Sequence, residues 1–318
     1  MEATARGKVA IIGGGPWGIA LAAAAARAGS DTVLYSRRDQ GKLPKGVTQS
    51  EGFHELGTQA RLVVLAVPSA VARGVVRELG VTLDGRHLVV HGVRGFVGTE
   101  METVSDVVRD ETPVRRVGAL GGPVLADELA QGKPSVMVVG SNFPEVNQAV
   151  VTAFTSKSLR VYGTNDLRGL EWSSALVGCL AIGVGYAQEA GLGPGLVAAV
   201  ITRAVNEAAR VALAAGGHAN TMLGLSGYGD LLASIAQEDR PEVLVGAALA
   251  KGKSLESALK SGKLRVEAVE LIPRIVAWCE AKGVRAPILK ALAEGVLAQK
   301  PHDEIVDALM TAPIEESA

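Results

Sequence analysis

The sequence predicts an α/β fold, with an N-terminal doubly wound, mainly parallel sheet followed by an all-helical C-terminal part. Three observations predict it. An apolar strand, Val9–Ile12, runs into a glycine-rich turn and an alanine-rich helix near the start of the chain. Short apolar strands and helices then alternate as far as about residue 164. Beyond that point the periodicity is helical throughout. Repeated βα alternation with near-continuous apolar strands is the pattern of a parallel sheet covered on both faces. The expected division is therefore into residues 1–164 and 165–318.

The opening unit, Lys8 to Arg27, reads KVAIIGGGPWGIALAAAAAR. Within it Gly13, Gly15 and Gly18 have the spacing GxGxxG. In a dinucleotide-binding turn the first glycine permits the tight bend and the second leaves room for a pyrophosphate against the backbone. The third lets helix and strand pack closely. Free N–H groups and the positive end of the helix dipole then face the anion. The same spacing also occurs in turns that merely join a strand to a helix. Its place after a strand and at the mouth of a helix favours nucleotide binding. Gly13, Gly15, Pro16, Trp17 and Gly18 are the first cofactor-binding candidates, and residues 1–164 read as a Rossmann domain.

Further strands are expected at Asp31–Tyr35, Arg61–Val67, His87–His91, Arg115–Leu120, Ser135–Gly140 and Leu159–Tyr162. A polar stretch with Gly41, Pro44 and Gly46 follows the first of these. Helical patterns mark Val71–Leu79 and a short helix from Leu125. In the C-terminal part, long helices are expected at Asp166–Ala190 and from Pro194 to about Ala215. Shorter ones follow at Leu231–Ile235, Pro241–Lys251, Ser254–Ser261, Val266–Lys282, Ile288–Glu294 and Pro301–Thr311. Asp166 is placed to cap the first long helix and Gly191 to end it, while Pro194 suits the first turn of the next.

The chain has 318 residues, enough for two domains with a substantial core. With 48% hydrophobic and 20% charged residues, its composition is that of a compact folded protein rather than a disordered one. A net charge of −1 supplies no field for nucleic acid or an anionic membrane surface, so neither is an expected partner. Small anionic ligands need only a local cluster and stay open. The apolar run Ala175–Ala187 contains Gly178, Gly183 and Gly185 and is shorter than a spanning helix of about 20 residues. It reads as a buried core helix, and no membrane insertion is expected. No secretory signal is read, so the default location is cytoplasmic. Cys179 and Cys279 fall in apolar helical patterns and read as buried thiols, not as a disulfide or metal site.

The end of the second strand normally separates NAD from NADP. An acidic residue there binds the ribose 2′-hydroxyl, whereas arginine accommodates a 2′-phosphate. Here the strand ends Tyr35-Ser36-Arg37-Arg38, with Asp31 at its other end and Asp39 after the arginines. Two adjacent guanidiniums match a phosphate dianion in charge and geometry. The expected cofactor is NADP, with NAD less favoured, and Arg37 and Arg38 join the cofactor-binding candidates.

Taken in order, these motifs resemble the NAD(P)-dependent glycerol-3-phosphate dehydrogenases of bacteria over nearly the whole chain. Gly13 to Gly18 with Trp17 is similar to that family's glycine turn, and Ala66-Val67-Pro68-Ser69 to the turn after its third major strand. Gly122-Pro123 with Ala126 and Glu128 partly matches its GPSFAxE segment, Val124 and Leu125 replacing serine and phenylalanine. Thr202-Arg203 with Glu207 resembles its TRGxxE helix and Gly229-Asp230-Leu231 its GDL turn. Val266-Glu267 resembles its VEG and Pro287-Ile288 its PI. The resemblance implies reversible hydride transfer between a nicotinamide and C2 of dihydroxyacetone phosphate or glycerol 3-phosphate, a small phosphorylated substrate. It adds Pro68, Ala126 and Glu267 to the cofactor-binding candidates and points to Arg94, Arg203 and Arg240 for the substrate. The all-helical second half is then a substrate and dimerisation domain. Its long apolar helices could bury their stripes within one chain or across a homodimer.

Such a reaction needs a cation for the substrate phosphate and a group that gives or takes the proton at the C2 oxygen. It also needs positive potential where charge develops on that oxygen. In the family a lysine in an ALKN motif meets the last two needs, and the GDL aspartate lies beside it. This chain departs at those positions. Reading Gly169-Leu170-Glu171 as the family's GxE places Val177 on the lysine and Gly178 on the asparagine. No lysine occurs between Lys157 and Lys251 to replace it. The lysine of the family's KG motif is Arg94 here, in His91-Gly92-Val93-Arg94-Gly95. Arginine anchors anions but is a poor proton donor, because its pKa exceeds about 12. The arginine–asparagine pair that holds the phosphate falls on Pro241-Glu242, with Arg240 one residue away and Glu242 repelling a phosphate.

Asp230, Arg94 and His91 remain as catalytic candidates. Asp230 also reads as the N-cap of a helix after a glycine-rich turn, His91 as a satisfied core histidine, and Arg203 with Glu207 as an ion pair on one helix face. No metal site is expected. Two functions stay open. One is an NADP(H)-linked dehydrogenase acting on dihydroxyacetone phosphate or a related small carbonyl. The other is a non-catalytic NADP(H)-binding regulatory or scaffold protein derived from the family, which an intact cofactor turn with depleted catalytic motifs would produce.

Overall fold

The computed structural model describes residues 7–237, 239–261, 266–301 and 303–305. The chain forms two compact units, the first ending at Glu171 and the second beginning at Trp172. The strands of the first unit, most of them short apolar runs, are β1 (Lys8–Ile12), β2 (Asp31–Tyr35), β3 (Val47–Ser50), β4 (Leu62–Leu65), β5 (Leu88–His91), β6 (Val117–Gly121), β7 (Ser135–Gly140) and β8 (Leu159–Thr164). Between them lie α1 (Pro16–Arg27), α2 (Phe53–Gln59), α3 (Ser69–Gly80), α4 (Val104–Glu111), α5 (Ala126–Gln131) and α6 (Pro144–Phe154).

These strands make one sheet in the order β3-β2-β1-β4-β5-β6-β7-β8. All neighbours run parallel except β6 and β7, which are antiparallel. The order reverses between β1 and β4, and open α/β sheets bind ligands at the carboxyl ends of strands flanking such a reversal. Ile12 pairs with Tyr35 on one side and Leu65 on the other, and Leu65 pairs with His91. Gly13, Ser36, Ala66 and Gly92 therefore follow side by side along that edge.

Both faces of the sheet are covered because both are apolar. Val9 and Ile11 of β1 enter a core with Leu21 of α1, Leu129 of α5 and Phe154 of α6. Ala10 and Ile12 enter a second core with Leu56 of α2, Val76 of α3 and Val107 of α4. Each large side chain buried in this way stabilises the fold by about 1.5–3 kcal/mol. The doubly wound architecture expected from the alternation is the one observed.

Four elements of this unit are not marked by an apolar run or were hidden by composition. Strand β3 is at the sheet edge, with Thr48 and Gln49 exposed. Helix α2 contains Gly57, a poor helix former, because a Cβ there would run into Thr82. Helix α4 is β-branched, yet Thr103 and Asp106 form a capping box at its start, a legible signal. Helix α6 opens on Pro144, another such signal.

Helix α7 (Leu167–Glu189) starts as the first unit ends. Gly169 donates its N–H to Asp166 Oδ1 at 2.9 Å, so Asp166 is the cap the sequence indicated. Gly191, at φ +76°, follows the helix end. The second unit continues with α8 (Pro194–Ala214), α9 (Ala219–Leu223), α10 (Asp230–Ile235), α11 (Pro241–Ala250), α12 (Leu255–Ser261), α13 (Ala268–Lys282) and α14 (Pro287–Ala291). Two wider π-type turns, Leu225–Gly229 and Leu292–Leu297, are inserted among them. Of the helix expected over Pro301–Thr311, residues 303–305 are helical, while 302 and 306–311 lie outside the described residues.

By length and composition α7 could cross a membrane, but 94% of its most apolar stretch is buried inside the protein. Its glycines explain how. A Cβ on Gly185 would overlap the Val243 backbone of α11, and one on Gly246 of α11 would overlap the Ile182 carbonyl. The two helices therefore touch backbone to backbone. Cys179 and Cys279 are free and buried.

Candidate functional site

In the first unit the chain closes tightly around two of the three motif glycines and leaves the third open. Gly13 has φ +122°, and a Cβ on it would overlap the Ala66 carbonyl at the end of β4. A Cβ on Gly18 would overlap the Gly13 carbonyl oxygen. Gly15, by contrast, has no protein atom within 4 Å of where its Cβ would stand. It is also the N-cap of α1, with Pro16 next and no acidic residue in the first turn. The helix thus presents uncapped N–H groups and its positive dipole end to open space. Trp17 is half-buried, and its indole Nε1 lies so close over Gly92 that a Cβ there would overlap it.

Tyr35, at the end of β2, hands the chain to a loop held by Ser36. Its hydroxyl oxygen accepts the Arg38 N–H at 3.2 Å and the Gln40 side-chain amide at 2.8 Å. Arg37 and Arg38 are exposed, as are Lys42 and Lys45 further along the loop. Sequence reasoning missed these two lysines, although four cations over nine residues are visible there. Pro68 is exposed at the N-cap of α3, and Ala126 is the half-buried first residue of α5.

His91, at the end of β5, is 2% exposed. Its Nδ1 accepts the Val93 N–H at 3.4 Å, which places the ring proton on Nε2, where it is donated to Glu171 Oε1 at 3.0 Å. Glu171 also accepts from the Ser105 backbone N–H and hydroxyl, each at 3.0 Å. Both ring nitrogens are therefore engaged, as in the satisfied histidine the sequence left open. Sequence reasoning gave Glu171 only as an alignment anchor; nothing in the sequence alone links it to Ser105. The half-buried Arg94 follows in the loop leaving β5, where Gly95 has φ +138°.

In the second unit the π turn Leu225–Gly229 delivers Asp230 to the start of α10, fully buried. Gly229 occupies the cap position, so the reading of Asp230 as N-cap is corrected. π turns of this kind recur at functional sites. Val177 on α7 is also fully buried, at 0% exposure. Beside it, a Cβ on Gly178 would lie 3.8 Å from Glu242 Oε1. The other Glu242 oxygen is 2.6 Å from Arg240 Nε, and the two side chains are 16% and 17% exposed. Burial, followed by the Glu242 charge, pushes the Cys179 thiol well above its ordinary range.

Glu207 on α8 is 1% exposed. Its oxygens accept the Ile288 and Leu289 N–H groups, both at 2.8 Å, at the first turn of α14. The carboxylate is thus engaged across helices, and the reading of a simple Arg203–Glu207 pair on one face is too narrow. Arg203 is half-buried, and Glu267 sits at the N-cap position of α13.

A profile for the N-terminus of NAD-dependent glycerol-3-phosphate dehydrogenase matches residues 39–147, and one for its C-terminus matches 166–307. The glycerol-3-phosphate dehydrogenase (NAD(P)+) of Gluconobacter oxydans is 32% identical over 320 positions, which cover 96% of this chain and 98% of that protein. The chain belongs to the glycerol-3-phosphate dehydrogenase family. The corresponding protein of Brucella ovis is 30% identical, with 97% of this chain and 98% of that one covered. Among solved structures, the glycerol-3-phosphate dehydrogenase of Coxiella burnetii matches with a TM-score of 0.87 at 23% identity, over 97% of this chain and all of that one. The yeast glycerol-3-phosphate dehydrogenase matches at 0.84 and 19%, over 95% and 99%. At these identities the likeness concerns the fold. Within the family's motifs, Glu207 of the TRGxxE-like helix accepts the N–H groups of Ile288 and Leu289, the two residues after Pro287.

Proposed function

We propose that this chain is an NADP(H)-linked oxidoreductase that reduces a small carbonyl compound, dihydroxyacetone phosphate or a relative of it. The observation that carries this reading is the open Gly15 between the closed Gly13 and Gly18. The cradle is shaped for a pyrophosphate and has no side chain of its own to fill it. Arg37 and Arg38 suit the extra phosphate of NADP, and family membership supports a nicotinamide. Pro68, Ala126 and Glu267 complete the cofactor set by resemblance.

When bound, NADPH supplies a hydride to the carbonyl carbon, and a proton must reach the carbonyl oxygen. Asp230 is the side chain assigned to that proton, Arg94 the cation that anchors the substrate and offsets charge on the oxygen. Arg203 and Arg240 are assigned to the substrate by resemblance. His91 with Glu171 holds the start of the loop that carries Arg94, a positioning role. Exposed Leu223, Leu225, Tyr228 and Leu232 support a homodimer, which light scattering would reveal.

The buried Val177 favours a second reading, in which the chain binds NADP(H) without turnover. A fluorescence titration with NADPH, followed by loss of its absorbance with dihydroxyacetone phosphate, separates the two. Turnover at about 1–10³ s⁻¹ establishes the enzyme. Binding without turnover on any small carbonyl establishes the second reading, and no binding of NADPH or NADH at millimolar concentration ends both.

A further inference from the structure

The contact between α7 and α11 fixes one carboxylate in an unusual place. Gly185 and Gly246 let the two backbones touch, which sets the start of α11 directly against α7. Glu242, one residue into that helix, is directed at the bare backbone of Gly178. Arg240 Nε lies 2.6 Å from one of its oxygens, Oε2. The other, Oε1, lies 3.8 Å from where a Cβ on Gly178 would stand, in a side chain that is largely buried and whose charge is felt by Cys179. A carboxylate oxygen in such surroundings attracts a hydrogen-bond donor or a cation and resists a second anion. Arg240, the nearby guanidinium, already has an internal anion against it.

We propose that Glu242 sets the substrate class of this chain: it takes the place of a substrate phosphate beside Arg240, so the carbonyl compound carries a hydroxyl or an ammonium group there instead. The inference rests on the oxidoreductase reading above and narrows it to unphosphorylated substrates. A phosphate dianion brought against Glu242 would meet a like charge in a poorly solvated setting, which disfavours binding independently of any catalytic defect.

The test is a calorimetric comparison of dihydroxyacetone phosphate, dihydroxyacetone and aminoacetone, each titrated into the protein with and without NADP+. The proteins are the unaltered chain and Glu242→Gln, whose unchanged NADPH titration serves as the folding control. The unaltered chain is expected to bind at least one unphosphorylated compound at least tenfold more tightly than the phosphate ester. Glu242→Gln is expected to reverse that preference by a further tenfold or more. Whichever of dihydroxyacetone and aminoacetone binds better identifies the donor as hydroxyl or ammonium. Equal or tighter binding of the phosphate ester by the unaltered chain overturns the proposal, as does no binding of either other compound, or a preference that Glu242→Gln leaves unchanged. Failure of NADPH to bind sinks the cofactor reading instead, and the titrations without NADP+ still decide the role of Glu242.

Discussion

Glu207 accepts the backbone N–H of Ile288 at 2.8 Å, and with its second oxygen takes the next N–H as well. A carboxylate on one helix thereby satisfies two orphan donors at the start of another. Burial pushes this acid up from 4.5 to about 7, against the pull of the two N–H bonds and of the Arg210 and Arg203 charges. Between those two values the folded chain keeps a proton that the unfolded chain has lost. Stability due to Glu207 is then greatest below 4.5 and declines as pH rises to about 7. Urea unfolding at pH 4.5 and pH 8 should show the unaltered chain losing about 1–3 kcal/mol relative to Glu207→Gln. Any constant offset from the lost hydrogen bond cancels in that comparison, and parallel pH profiles would refute it.

The motif glycines make opposite predictions for folding and binding. Gly15 has φ −76° and open space at its Cβ, so Gly15→Ala should leave the melting temperature within a few degrees. It should nevertheless weaken NADPH at least tenfold, because the methyl group would occupy the pyrophosphate's place. Gly18→Ala drives a Cβ into the Gly13 carbonyl. It should destabilise the fold by about 1–3 kcal/mol or more, as overpacked sites do. Thermal melts and fluorescence titrations on the two variants check both halves.

How much of this was legible in the sequence depends on where the signal lives. The strand–turn–helix at Gly13 announces itself because its geometry is local: adjacent residues make the turn and open the helix. The strands buried on both faces are legible as apolar runs for the same reason. Strand β3 is not, since an edge strand needs no apolar run, and α2 is masked by a glycine whose cause, Thr82, lies far along the chain. The site residues divide likewise. A short motif marks Asp230 as a candidate, but the hydrogen bonds that run from His91 to Glu171 and from Glu171 to Ser105 join residues far apart in the chain. So does the capping of α14 by Glu207. Partnerships of that kind come from the packing of helices, which no window of sequence displays.

Arg37 and Arg38 make the cofactor preference testable. Both are exposed on a loop tied down by Ser36, so replacing them removes charge without opening the core. A hydrogen bond to a charged group contributes about 1.5–3 kcal/mol. Replacing both with alanine should raise the Kd for NADPH by about 10–10²-fold while changing that for NADH less than about twofold. The loss should shrink at high salt, since exposed charges are screened. Equal losses for the two nucleotides would place the 2′-phosphate elsewhere.

Val177→Lys combined with Gly178→Asn asks whether an ammonium at position 177 raises turnover in this chain. Val177 has no exposure, so the new lysine must bring a charge into a dry position, and the variant should melt lower than the unaltered chain. Asparagine at 178 would start 3.8 Å from Glu242 Oε1, within reach of an amide that donates to that oxygen. The pair also restores positive potential to the helix that carries Val177. If that potential is what turnover lacks, reduction of dihydroxyacetone, followed as loss of NADPH absorbance, should rise by about 10²–10³, the usual cost of one such contact. Dihydroxyacetone phosphate should gain less than dihydroxyacetone while Glu242 remains, and should catch up when Glu242→Gln is added. A double variant that folds, binds NADPH and still shows no reduction of either compound would mean that Asp230 and Arg94 are not poised for catalysis either.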